Sequence, residues 1–238
     1  MVELLVVVAV IAILAGLLIP VVGVVRRMAN DFKCGSQLQQ IAGAIEVYKH
    51  ENDDLFPARL RWRDNDPLAG SPITSDLFHS GGPLKGLTKI LLCPHDAQRG
   101  QDTRMGRPRA WEDLSNVHTP DSSYLYEVSS VALNAGQINF FFKDRSSKPA
   151  VGDPEATWAG GKQNQQRFGN RKDDGVTYGD AFPPTLFPII RCYWHHKWRG
   201  QNRYDQEVRK VKNVSWNLNV FNSTPYWEHD VNPAIPIE

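Results

Sequence analysis

The sequence predicts an α+β protein: a long N-terminal α-helix packed on an antiparallel β-sheet head with long loops. Three observations predict it. Leu4–Val25 is a 22-residue run without a charged or polar side chain. That run leads without a break into an amphipathic stripe that ends near Asn52. Beyond Tyr124, short runs rich in β-branched and aromatic residues alternate with turn residues. Residues 1–52 are therefore read as the helix, and 53–238 as a β-rich head.

The apolar run comes first. Nineteen of its residues are apolar, and the other three are Gly16, Pro20 and Gly23. About 20 helical residues, rising ~1.5 Å each, cross a ~30 Å hydrocarbon core. The run is thus long enough for a transmembrane helix. A secretory signal has an apolar stretch of roughly 7–15 residues behind a basic one, which is not the pattern here. A buried soluble helix would keep a polar edge. Pro20 removes one backbone bond and predicts a bend or local unwinding. Gly16 and Gly23 would let a neighbouring helix approach closely.

After Val25 the pattern changes rather than stops. Arg26, Arg27, Asn30, Asp31 and Lys33 are polar, while Met28, Phe32, Leu38, Ile41, Ile45 and Tyr48 recur at helical spacing. No proline intervenes until Pro57, and Asn52-Asp53-Asp54 reads as a frayed end. One continuous helix of about 75 Å follows. The 27 Lys and Arg nearly balance 26 Asp and Glu, a net charge of +1 that supplies no basic field for nucleic acid.

These residues resemble the type IV pilin and pseudopilin family, whose prepilins are cleaved and N-methylated. The resemblance rests on Glu3 followed by Leu4–Ala15, on Gly16-Leu17-Leu18-Ile19-Pro20, and on the 17-residue step from Glu3 to Pro20. Cys34–Ile41 through Tyr48, Phe56-Pro57 and Leu92-Cys93-Pro94-His95-Asp96 extend it toward pseudopilin-like proteins. It is specific over residues 3–57 and patchy beyond. The family has a cleavage-site Gly and then Phe before the Glu, whereas only Met1 and Val2 precede Glu3 here. Arg26 and Arg27 after the span would alone place the head in the cytoplasm. A basic leader removed before Met1 would reverse that. The resemblance implies a prepilin peptidase, an assembly machinery, storage in the inner membrane, and then an extracellular or periplasmic filament. It also implies that Glu3 pairs with a neighbouring subunit's N-terminal amine, since an unpaired carboxylate among apolar helices costs several kcal/mol. The alternative is a Glu3 at the membrane interface.

In the head, Leu84–Leu92 suits a short helix or strand, and 100–120 reads as loop. Strands are expected at Tyr124–Leu133, Gln137–Lys143 and Pro188–Trp194, with a half-buried strand or hairpin over Val208–Phe221. Cys34, Cys93 and Cys192 allow one disulfide and one leftover thiol in an oxidising compartment. Cys34–Cys93 is the first candidate pair, another pairing or no bond being the alternatives. No Cys-x-x-Cys-His is present, so a covalent c-type haem is excluded.

Asp173, Asp174 and Asp180 surround a glycine turn and form a calcium candidate, because hard oxygens suit that ion and some pseudopilins that this chain resembles bind it in their head loops. The spacing is not that of an EF-hand, and a plain polar turn is the alternative. Calcium is the one cofactor considered. His195-His196 would point to opposite faces of a strand and chelate poorly, and His95-Asp96 offers no more. Tyr193, Trp194, Trp198, Tyr204, Trp216, Tyr226 and Trp227 suit core packing, or carbohydrate stacking. Asn213-Val214-Ser215 and Asn222-Ser223-Thr224 match the glycan acceptor pattern.

No nucleophile elbow, P-loop, His-Glu-x-x-His or dinucleotide fingerprint appears, so no enzyme is expected. The expected function is that of a structural filament subunit that polymerises with itself through Leu4–Val25. Glu3 sets register, while Gly16 and Pro20 let the helix loosen. A minor pilin or adhesin at the filament tip is the alternative. A membrane-anchored enzyme using His195, Cys192 or Asp173 is the reading from another class.

Overall fold

A computed structural model describes residues 2–60, 77–78, 82–101, 122–142, 148–171, 177–178, 181–195 and 211–235. Helix α1 spans Val2–Glu51, as the uninterrupted pattern predicts. Its direction changes by 40° between Glu3–Gly16 and Val21–Glu51, and Pro20 falls in that break. Among the described residues, no single straight helix is long and apolar enough to cross a membrane. The bent pair together meets the length and composition of a span. The helix ends by a built stop rather than by fraying. Asp53 and Asp54 take positive φ of 52° and 63°, and the Asp54 amide donates to the Lys49 carbonyl at 2.9 Å. Asn52 Nδ2 donates to the Tyr48 carbonyl at 2.8 Å. Carbonyls that the helix leaves open are thereby satisfied.

The two halves of α1 have different surroundings. Residues 3–16 and 21–29 are exposed throughout. Burial begins at Cys34 and recurs at Leu38, Ile41, Ala42, Ile45 and Tyr48, one face of a 3.6-residue helix. Met28 and Phe32, expected in that stripe, are instead 65% and 81% exposed. Met28 lies before the level at which the head covers the helix, whereas Phe32, two residues before Cys34 and so about 160° round the helix from it, points away from the head.

The buried face lies on a four-stranded antiparallel sheet. Strand β1 is Leu125–Tyr126; β2 (Asn170–Arg171) and β3 (Thr177–Tyr178) form a separate pair. β4 is Pro188–Cys192, β5 is Val211–Ser215 and β6 is Val220–Ser223, giving the order β1-β4-β5-β6. Ile190 pairs with Val214 and Cys192 with Lys212. The register shifts between Pro188 and Ile190, and Ile189 and Ile190 both enter the core beneath α1. A bulge has that effect, because it breaks the strict alternation of a strand. Tyr124, Tyr126, Cys192 and Val214 complete this core.

The expected hairpin is present and β6 is half-buried, but the opposite face of β5 is also covered, so that strand is buried on both sides. Helices α2 (Ala135–Phe141) and α3 (Trp158–Phe168) pack there with Leu125, Tyr193 and Val211. Asn213 and Ser215 are fully buried as a result. Val208–Lys210 lie outside the described residues. The hairpin turn itself places Leu218 at φ 62°, with Asn219 N donating to Ser215 Oγ at 3.1 Å.

Gln137–Lys143, expected as a strand, begins inside α2. A reciprocal capping box decides it: Asn134 Oδ1 accepts from Gln137 N at 2.9 Å, and Gln137 Oε1 accepts from Asn134 N at 3.0 Å. Of Tyr124–Leu133, only β1 is a strand, with one bridge from Ala132 to Thr157. Thr88–Leu91 is a 3-10 turn. Helix α4 (Trp227–Val231) seats Trp227 against Phe182 and Phe187.

Between α3 and the sheet lies a buried charged group. Glu127 is 3% exposed. It faces Lys162 Nζ at 3.4 Å and Arg191 NH1 at 3.8 Å, and accepts from Trp158 Nε1 at 3.3 Å.

α3 approaches α2 at Gly161, where a Cβ would sit 2.7 Å from the Phe141 ring. Phe141 is itself packed on Trp158, with centroids 5.3 Å apart. Gly161→Ala should therefore lower stability by about 1–3 kcal/mol, despite the better helix propensity of alanine. A thermal melt of the variant that matches or exceeds the parent would contradict this packing.

Candidate metal centre

Four side chains from three segments converge where α1 enters the head. Cys34 opens the buried face of α1. Cys93 follows the 3-10 turn, Cys192 ends β4, and His195 stands three residues further in the turn that leaves the strand. Cys34, Cys93 and Cys192 are 0%, 2% and 0% exposed. Their sulfurs and one ring nitrogen of His195 all lie within 4.8 Å of one another. Cys34 Sγ is 3.7 Å from Cys192 Sγ, and Cys93 Sγ is 3.5 Å from His195 Nε2.

In this structure all three cysteines are free, which is the no-bond alternative to the Cys34–Cys93 pair. A disulfide needs sulfurs about 2.05 Å apart. Here three sulfurs and an imidazole share one volume at non-bonded distances. Cys34 and Cys93 meet, and Cys192 meets both.

Surrounding groups fix each donor. Asp31, one turn before Cys34, accepts through Oδ1 from His195 Nδ1. That contact leaves Nε2 facing the sulfurs. The same oxygen lies 3.2 Å from His95 Nε2, and the two imidazoles meet edge to face with centroids 4.6 Å apart. Cys93 N donates to Ser123 Oγ at 2.9 Å, and Ser123 Oγ donates to Asp96 Oδ2 at 2.6 Å. Asp96 also accepts from Gln98 N and Gly100 N, at 2.8 and 2.7 Å. Asp96 therefore shapes the loop that carries Cys93. Trp194 Nε1 donates to Ser123 O at 3.0 Å and anchors the turn that carries His195. On the α1 side, Tyr124 OH donates to Gln37 Oε1 at 3.1 Å and lies 3.8 Å from Cys34 Sγ.

The electrostatics follow from this crowding. Hydrogen bonds from Cys192 and Cys93, then the neighbouring His195, hold the Cys34 thiol far below its ordinary range, against the opposing effect of burial. Burial, followed by the bonds with Cys34 and Cys93, pushes Cys192 up. The Cys192 bond favours ionisation of Cys93, but the Cys34 bond, burial and the Cys34 charge together raise it. Burial disfavours a proton on His195, yet Cys34 and Asp31 outweigh it and raise this imidazole. Burial and the His195 charge lower His95. These contacts favour negative charge on Cys34 and positive charge on His195 together. The burial that protects these thiols also shields them from any substrate, so the arrangement suits holding an ion rather than nucleophilic attack.

Cys34, Cys93, Cys192 and His195 were singled out from sequence, and the structure brings them together; the other singled-out residues fall elsewhere. Glu3, Gly16 and Pro20 lie on the bare half of α1. Asp173, Asp174, Asp180, His196, Trp198 and Tyr204 lie outside the described residues. Tyr193 and Trp227 are core residues at 4% and 1% exposure. Asn213 is buried, donating to Val211 O and Ser223 Oγ at 3.1 and 2.8 Å, so it is no glycan acceptor. Asn222 is exposed.

Sequence reasoning weighed the wrong partner for His195. The usable signal was Cys192-Tyr193-Trp194-His195, a Cys-x-x-His spacing that a chain reversal turns into two convergent donors. No protein-family model matches the chain, and neither a curated protein nor a solved structure matches it.

Ser123 joins the Cys93 backbone to Asp96, and it is fully buried. Ser123→Ala should cost about 1–3 kcal/mol by leaving both groups short of a partner. It should also speed the reaction of Cys93 with a thiol reagent in the native protein. Unchanged thiol kinetics and an unchanged melt would show that this bond does not hold the loop.

Proposed function

We propose that this chain is a structural subunit of an extracellular helical filament, a type IV pilus or a secretion-system pseudopilus, polymerising through the first half of α1. One observation carries the reading. α1 buries its second half on its own head and leaves a bare apolar rod, with Leu4 72%, Leu5 68%, Ile13 64% and Val22 62% exposed. Apolar surface on that scale needs a cover, either lipid or other copies of the same rod. Residues 4–25 meet both needs in turn: lipid before assembly, neighbouring helices afterwards.

Details of the rod support assembly. A Cβ at Gly16 or Gly23 would meet nothing within 4 Å. The subunit's own fold therefore does not require these glycines, whereas close approach of a second helix does. The 40° change of direction lies between Gly16 and Val21, where a bundle of bent helices has to be fitted. Glu3 sits at the apolar end, where it would pair with an amine of the next subunit and fix the axial step. A heterologous contact that does not close on itself propagates as an open helix. The near-neutral net charge of +1 lets heads pack side by side.

Electron microscopy of filaments sheared from expressing cells should show this chain as the repeating unit. Finding only dispersed membrane monomers would end the proposal. Breaking a buried charge pair costs roughly 3–5 kcal/mol, so Glu3→Ala should cut filament yield at least tenfold while the head melts as before. Normal yield would remove the register role of Glu3.

A further inference from the structure

We propose that Cys34 Sγ, Cys93 Sγ, Cys192 Sγ and His195 Nε2 bind one zinc ion in a closed tetrahedral site. The ion would tie α1 to the head. The distances are those of ligands around a common centre. Two sulfurs about 2.3 Å from a zinc at the tetrahedral angle are about 3.75 Å apart, and a sulfur and a nitrogen about 3.5 Å apart. The observed edges are 3.7 Å between Cys34 and Cys192 and 3.5 Å between Cys93 and His195. No donor lies further than 4.8 Å from another, so all four can reach one ion with side-chain shifts of about 1 Å.

Donor chemistry selects the metal. Three thiolates and one imidazole suit zinc, and a set of four protein ligands leaves no open position for a substrate. The site is structural. Asp31, His95 and His195 also lie within reach of one another. However, Asp31 Oδ1 and His195 Nδ1 are in direct hydrogen-bond contact, which leaves no space for an ion between them. Asp31 is instead the positioning residue: it fixes the tautomer of His195 and turns Nε2 toward the sulfurs, the carboxylate–histidine–metal arrangement of many zinc sites. Binding releases the protons that the thiols still carry, and the three thiolates and the ion leave one net negative charge.

This inference is independent of filament formation, because it concerns the single subunit. The full chain, purified in detergent under reducing conditions and without chelators, should carry zinc at one equivalent by elemental analysis. Exchange into cobalt(II) should give the intense visible bands of tetrahedral coordination together with sulfur-to-cobalt charge transfer. Cys192→Ser should abolish both. Asp31→Asn should keep the tetrahedral spectrum but weaken zinc binding about 10–100-fold in a chelator competition. That variant keeps every ligand, so it tests the site even where removal of a cysteine prevents folding. Less than a tenth of an equivalent of zinc, with no cobalt spectrum, would overturn the proposal. So would a disulfide among the three cysteines in protein taken from its native compartment, or a metal other than zinc held by these residues. Asp31→Asn protein binding zinc as tightly as the parent would remove Asp31 from its positioning role.

Discussion

The packing of α1 residues 34–48 on the sheet is the contact on which the rest of the structure depends. Most of the stability of a helix in a protein comes from the packing of one face rather than from intrinsic propensity. The second half of α1 is held because Leu38, Ile41 and Ile45 are fully buried beneath Tyr124, Tyr126 and Val214. That one face orders the sheet on one side. On the other side, α2 and α3 close the sheet through Val211, Trp158 and Phe141. The same contact also decides where the head stops. Among the described residues no strand lies against the helix before Asp31, and every described residue from 21 to 29 is exposed.

Cys34 stands at that border. It is the first fully buried residue of the stripe, and its neighbours come from distant parts of the chain: Cys93, then Cys192 and His195. Cys34 and Cys192 are separated by 158 positions in sequence. A link across so long a loop removes more freedom from the unfolded chain than a local one. A disulfide would join two of these segments. A tetrahedral ion joins all three, and it does so without the narrow torsional demands of an S–S bond.

Much of the fold was legible because it rests on periodicity. The end of α1 near Asn52 was legible, though as fraying rather than as the stop that Asp53 and Asp54 build, and β4 and the β5–β6 hairpin followed from runs of β-branched and aromatic residues. Two errors have a common source in local propensity. Gln137 to Phe142 is rich in aromatics and reads as a strand, but the Asn134–Gln137 capping box starts a helix whose Ile138 and Phe141 share one buried face. Met28 and Phe32 are four apart and match each other, but a step of six from Phe32 to Leu38 carries the chain to another face, and the stripe that packs on the head starts afresh at Cys34. The cysteine cluster was the least legible part. Each ligand segment offers one or two donors with no repeated Cys-x-x-Cys, and the sheet order that brings Cys192 beneath Cys34 is a tertiary fact. Asp31 and Cys34, three apart on one helix face, carry no signal until His195 is known to lie between them.

The position of the cluster bears on how a filament carries force. In the proposed assembly the bare rods bundle together and the heads hang outside, so tension enters each head through α1 near residue 31. At that level the helix passes from contacts with other subunits to contacts with its own sheet. Hydrophobic packing alone resists sliding poorly, because each turn of an apolar face resembles the next and a slip of one turn exchanges similar contacts. Directional bonds at the point of entry remove that degeneracy. A Cys34–zinc bond fixes the axial register of α1 against β4, and Asp31 with His195 adds a second directional contact one turn nearer the rod. Tyr124 OH to Gln37 Oε1 adds a third on the following turn. Three successive turns are thereby keyed to the head, and the apolar stripe from Leu38 to Tyr48 supplies the area that holds them together.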